Sequence, residues 1–134
     1  MESFCTRSGI SQEFSASITP QQNSVVEKKN RAIQEMARAM LHNKDVARNL
    51  WGEAVNTACH MVNMVYFRPG TKKTSYELWK GKKPNVKYFK IFGSTCFIRK
   101  DRENVGKFDS HSDEGIFLGY SSISKAYRLY NKKP

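Results

Sequence analysis

Apolar positions recur at helical spacing over the first half of the chain and at alternating spacing in short runs over the last third. Across residues 25–42, Val26, Ile33, Met36, Ala37, Met40 and Leu41 share one face, with Lys28, Arg31, Glu35 and Arg38 on the other side. Glu27 lies about 100° from Val26 on this wheel, at the flank of the apolar face, so its side chain is expected half covered and aimed along a crevice. Ser24, or Asn23, is the expected N-cap, and Glu27 follows Ser24 at capping-box spacing. Upstream, residues 1–8 read as the end of a helix, Gly9 to Phe14 as a short strand, and SASITPQQN, with Pro20, as a loop. Asp45 predicts the start of a second helix over residues 46–67. Leu50, Trp51, Ala54, Val55, Ala58, Met61, Val62 and Val65 form its stripe and are expected to be core. Arg68-Pro69-Gly70 stops it. A short helical turn over 75–79, opened by Ser75 and ended by Gly81, leads to Lys82-Lys83-Pro84.

The pattern then changes period. FKIFGSTCFIR (89–99), EGIFLGY (114–120) and AYRLY (126–130) are rich in strand formers and punctuated by Gly93, Gly106, Gly115 and Gly119. Short strands with regular turn signals predict a small β-barrel. Its expected core draws on Phe92, Phe97, Phe108, Phe117, Leu118, Tyr120, Tyr127 and Tyr130. The fold class is therefore α/β followed by a small β module.

Length adds a bound: 134 residues suffice for one modest domain or two very small ones. No apolar run approaches the roughly 20 residues that cross a bilayer, and MESFCTRSGI lacks the apolar core of a secretory signal. Cys5, Cys59 and Cys96 are odd in number and scattered, which argues for a reducing compartment. The expected location is intracellular, nuclear or cytoplasmic.

Charge changes the picture most. Twenty-three Lys and Arg stand against 12 Asp and Glu, a formal net charge of +11, with a pI of about 9.7. The excess gathers in Lys28-Lys29-Arg31, in the run from Lys72 to Lys87, and in Arg99-Lys100-Arg102. A polyanionic partner fits this balance, and a solvated basic surface is the alternative. An anionic membrane fits less well, because the clusters do not fall on one amphipathic helix.

Residues 9–31, GISQEFSASITPQQNSVVEKKNR, resemble the end of an integrase core of copia-type retrotransposons, where a strand and a Pro-Gln loop precede a helix beginning V-x-E-x-x-N. The likeness continues, in order, through MARAMLHN, LWGEAVNTACHMVN, TSYELWKGKKPNV, IFGSTCFI, KFDSHSDEGIFLGYS and KAYRLYN. It implies a partial ribonuclease-H-like integrase core over 1–67, a linker with a short helix over 68–87, and an SH3-like β-barrel over 88–134. It also implies that Glu27 occupies the position of a metal-binding carboxylate, and that Lys28, Lys29, Asn30 and Arg31 sit where the family's helix faces DNA. Arg99, Lys100 and Arg102 are the corresponding candidates on the barrel.

Integrases of this kind hold two Mg²⁺ or Mn²⁺ ions between two Asp and one Glu. The Asp pair is missing from residues 1–26, where Glu2 and Glu13 are the only acids. Ser24 stands where the family usually has Gly, and no paired His and Cys set suggests zinc. The expectation is a truncated integrase that binds DNA without sequence preference, contacts other integrase chains, needs no cofactor, membrane or small-molecule substrate, and is catalytically inactive alone. Two alternatives stay open: an active polynucleotidyl transferase when part of a longer chain or complex, and an interaction module or relic that binds no nucleic acid. For Glu27 itself, the alternative role is a helix cap or an i,i+4 partner of Arg31.

Overall fold

A computed structural model describes residues 2–14, 16–100, 107 and 110–132. They fall into two units, Met1–Ala32 and Ile33–Pro134. The first holds helix α1 (Glu2–Arg7), a 3-10 turn (Pro20–Asn23) and the start of α2 (Ser24–Asn43). Gly9 to Phe14 forms no strand. A strand needs a ladder partner and a covered face, and here Ile10 and Phe14 are exposed. The 3-10 turn runs straight into α2, and Ser24 has helical φ and ψ of −54° and −32°. An N-cap requires non-helical backbone, so the expected Ser24–Glu27 capping box is not formed.

In the second unit, α2 ends at a left-handed residue. Asp45 has φ +48°. Its N–H reaches the His42 carbonyl at 3.4 Å, and the Val46 N–H reaches the Leu41 carbonyl at 3.0 Å. This is the Schellman pattern, completed by an apolar contact between its two ends: Val46 is buried in the core and Leu41 packs against that core. Asp45 therefore closes α2 instead of opening the next helix. That helix, α3 (Trp51–Val65), starts later, after a 3-10 turn (Arg48–Leu50). Helix α4 (Ser75–Lys80) has its N-cap at Thr74, one residue before the expected Ser75. Thr74 and Glu77 exchange bonds of 2.7 and 3.2 Å, and Gly81 ends α4 in the left-handed region with φ +68°.

Strands β1 (Thr95–Arg99), β2 (Ser112–Tyr120) and β3 (Tyr127–Asn131) form one antiparallel sheet in the order β1-β2-β3. Among the described residues it is an open meander instead of a closed barrel. Thr95 pairs with Ile116, and Ile116 with Tyr130. Between Phe117 and Gly119 the β2–β3 register slips, leaving Leu118 as the extra residue of a bulge. The bulge explains why Phe117, Leu118, Gly119 and Tyr120 are all buried, where plain alternation would expose every second one.

Helix α3 lies against β2. Ala54, Thr57 and Ala58, at i, i+3 and i+4, are nearly or wholly buried. The Thr57 hydroxyl donates to the Leu118 carbonyl at 2.6 Å, across 61 residues of chain. A Cβ at Gly119 (φ +146°) would overlap that hydroxyl. Leu118 joins Ala37, Val46, Ala54 and Phe92 in the core. Trp51 is not core: it is 63% exposed, and Val65 at the far end of α3 is also exposed. Periodicity sets the direction of a side chain, but burial needs a partner over it, and β2 covers the middle turns of α3. Phe97, Tyr127 and Tyr130 are likewise exposed, whereas Phe92, Phe117, Leu118 and Tyr120 are buried as expected. Phe108 lies outside the described residues. Among the described residues no helix is long and apolar enough to cross a membrane.

Four stability measurements check this architecture. Thr57→Val, which keeps shape and removes the donor, is expected to cost about 1–3 kcal/mol in denaturant unfolding. Gly119→Ala should cost about 2–4 kcal/mol through backbone strain and overlap, and less when Thr57 is already Ala. Asp45→Gly should stabilise by about 0.5–1 kcal/mol, because Gly accepts the left-handed conformation without strain, whereas Asp45→Val should destabilise. The Glu77 carboxyl is held below its ordinary value, chiefly by the Thr74 backbone N–H and further by Lys83 and Lys73. A lowered carboxyl stabilises the fold above its unfolded value, and that contribution is lost as pH falls through the folded one. Thermal melts between about pH 3 and 6 should show this acid limb flattened in Glu77→Gln.

Candidate nucleic-acid interface

The first candidate surface is the start of α2. Glu27, Lys28, Lys29, Asn30 and Arg31 are all exposed, as are Val25 and Val26 beside them. The crevice expected for Glu27 is therefore not formed. No ion pair joins Glu27 to Arg31 among the described residues, and the capping role is closed to Glu27 by the helical backbone of Ser24. Among the described residues no group of three or more His, Cys, Asp or Glu could hold a metal ion. A single solvated carboxylate does not fix a divalent pair, since Mg²⁺ and Mn²⁺ take several oxygen ligands in set geometry. The donor set present thus does not fit the metals that the resemblance implies. What remains at this helix start is three cations and an amide, free to meet an anion.

The second candidate surface lies on the sheet of the other unit. Arg99 and Phe97 project from the same exposed face of β1, Phe97 being 75% exposed. Opposite them on β2 stand Ser112 and Glu114. Lys100 is not a free cation: its ammonium lies 3.2 Å from the Asp113 carboxylate. Arg102 lies outside the described residues. Two further cations that charge alone would offer to phosphate are also paired, Arg128 with Glu53 and Lys132 with Glu114. Sequence reasoning could not see these pairs, because their partners are 13 to 75 residues away: Asp113 and Glu114 meet their lysines through the strand pairing, and Glu53 meets Arg128 from α3.

Behind this face the aromatic residues serve structure. Tyr127 donates its hydroxyl to the Tyr88 carbonyl at 2.8 Å, and the Lys90 N–H donates to the Tyr120 oxygen at 3.0 Å. Tyr120 stacks on His60 with centroids 4.6 Å apart. Burial raises the Tyr88 and Tyr120 phenols above their usual range and lowers His60, so all three are neutral where the protein is folded near neutral pH. Three cysteines are free thiols, and burial pushes that of Cys96 up. Among the described residues neither surface brings together a nucleophile, a base and an orienting group. Each offers charge and, at Phe97, one flat ring.

Sequence reasoning passed over one group of residues. Trp79 is 83% exposed at the end of α4, and the lysines noted for their charge flank it. The available signal was the interleaving of Trp79 with Lys80, Lys82 and Lys83.

Comparison with known proteins follows the geometry closely at the carboxyl-terminal end. The family model of the retroviral polymerase SH3-like domain matches residues 94–133, a span that holds all three strands. The chain is 35% identical over 130 residues to the retrovirus-related Pol polyprotein from transposon TNT 1-94 of Nicotiana tabacum, covering 97% of this chain and 10% of that protein. It is 28% identical over 127 residues to the retrovirus-related Pol polyprotein from transposon RE2 of Arabidopsis thaliana, with 95% and 9% covered. The corresponding polyprotein from transposon RE1 of the same plant is 27% identical over 124 residues, with 92% and 8% covered. The chain thus spans about a tenth of the length of the curated relatives it matches. No solved structure matches it. Since its sheet region matches the SH3-like domain and nearly its whole length aligns with the transposon polyproteins, the chain belongs to the copia-type retrotransposon Pol family.

Proposed function

We propose that the chain takes part in DNA integration as a nucleic-acid-binding part of a retrotransposon integrase. In this reading, residues 1–67 correspond to the end of a ribonuclease-H-like core, 68–87 to a linker, and 88–134 to an SH3-like module. The observation that carries it is the set of exposed cations without an internal partner. Lys28, Lys29, Arg31 and Arg99 are exposed and belong to no ion pair among the described residues. A net charge of +11 draws a polyanion, and phosphate contacts need no base recognition. Glu27 is then the family's metal-ligand position without its companions, and the chain alone does not cut or join DNA.

Binding to random-sequence duplex, followed by fluorescence anisotropy, should weaken steeply with salt, log K falling roughly 0.9 per phosphate neutralised. Replacing Lys28, Lys29 and Arg31 together by Gln should reduce that slope by about 2–3. Lys100→Gln should change it by less than about 0.5, because Asp113 already occupies that ammonium. An affinity that is flat from low to high salt sinks the reading. Mg²⁺-dependent nicking by this chain that disappears in Glu27→Gln would favour an active transferase instead.

A further inference from the structure

The corner between α3 and α4 is built as a groove. Phe67 bridges to Thr74, the Arg68 N–H donates to the Lys73 carbonyl at 2.9 Å, and the Thr71 N–H donates to the Arg68 carbonyl at 3.0 Å. This tight turn folds α4 back beside α3. Between them lies a cavity of about 590 Å³, lined among others by His60, Asn63, Arg68, Tyr76 and Trp79. Its size falls within the range of about 300–1,000 Å³ usual for small-ligand sites.

The chemistry of the lining is mixed in a particular way. Trp79 is 83% exposed, so its ring has a free face. The Nε2 of His60 is buried without a hydrogen-bond partner among the described residues. Asn63 adds an amide and Arg68 a guanidinium. Lys72 and Lys73 lie in the turn before α4, Lys80 ends α4, and Lys82 and Lys83 follow it, all exposed and outside any ion pair among the described residues. Glu77, the one carboxylate of α4, is engaged by Thr74 and lies in the field of Lys83 and Lys73. A flat ring, hydrogen-bonding groups in a recess and a surround of cations match the parts of a nucleotide: base face, base edge and phosphate. A lipid surface matches less well, because α4 has six residues, too few for an amphipathic insertion helix, and the polar groups line a concavity.

We propose that this corner is a binding site for an unpaired nucleotide of a single-stranded polynucleotide, with the base stacked on Trp79 and the flanking phosphates held by Arg68, Lys82 and Lys83. The proposal rests on the nucleic-acid reading above and adds a preference that backbone charge alone does not provide. Every base has a stackable face, so the site accepts any sequence, but a base inside a duplex cannot reach the ring.

The test is anisotropy on the full chain with a labelled oligothymidylate of about 12 nucleotides and a random duplex of about 12 base pairs, at low salt. Trp79→Ala should weaken oligothymidylate binding about tenfold or more and duplex binding less than about twofold, while Trp79→Phe keeps most of the affinity. Unchanged thermal melting confirms that the exposed substitution leaves the fold intact. The site is overturned if Trp79→Ala leaves oligothymidylate binding unchanged or weakens both forms alike. Duplex binding by the unsubstituted chain without oligothymidylate binding removes the site alone. Failure to bind either removes the nucleic-acid reading with it. Trp79-dependent binding to phosphatidylserine vesicles, with oligothymidylate binding indifferent to Trp79, assigns the corner to a membrane and also overturns the proposal.

Discussion

The hydroxyl of Thr57 on the carbonyl of Leu118 is the constraint on which the second unit depends. A bulge takes Leu118 out of its ladder, and a buried carbonyl without a partner costs about as much as a lost hydrogen bond. Helix α3 supplies the donor because Ala54 and Ala58, one on each side of the stripe from Thr57, are small enough to let the helix axis come close. Gly119 completes the arrangement by having no Cβ where the hydroxyl sits. Three sequence choices on two distant elements thus describe one contact. That contact also sets which side chains of β2 turn inward to meet Val46 and Phe92.

The same fold decides which charges face outward as available cations. Lys100, Arg128 and Lys132 are counted in the net charge but held by Asp113, Glu53 and Glu114. Exposed pairs of this sort add little stability, typically below about 1 kcal/mol. Their larger effect is on which exposed cations stay outside any ion pair, among the described residues those at the α2 start, Arg99 and the α4 corner included. A charge count from composition does not distinguish these cations from the paired ones.

Much of the architecture was legible in the residues. The extent of α2, the existence of α3 and α4, the three strands and the buried Phe92, Phe117, Leu118 and Tyr120 all follow from periodicity and turn chemistry. The failures share a cause. Asp45 is as good a helix opener as it is a tolerable left-handed residue, and only the Leu41–Val46 contact decides between the two. Trp51 points along the apolar stripe, yet no partner stands over it. Ser24 has the composition of a cap, but Pro20 lets a 3-10 turn begin earlier and carry helical backbone through it. At the candidate site, the identity of the cations was legible, while their pairing was not, since it depends on cross-strand register and, for Arg128, on where α3 packs. Trp79 falls in a six-residue helix, too short for a periodic pattern to say whether its ring is covered.

The contacts that close the second unit join early and late parts of the chain: Thr57 to Leu118 across 61 residues, Glu53 to Arg128 across 75. Made in order on a ribosome, α3 therefore waits, its small-residue stripe uncovered, until β2 has emerged. Loop closure over such distances is slow compared with helix formation. A nascent chain halted before residue 118 holds Ala54, Thr57 and Ala58 without the strand that covers them, which exposes a surface that chaperones bind.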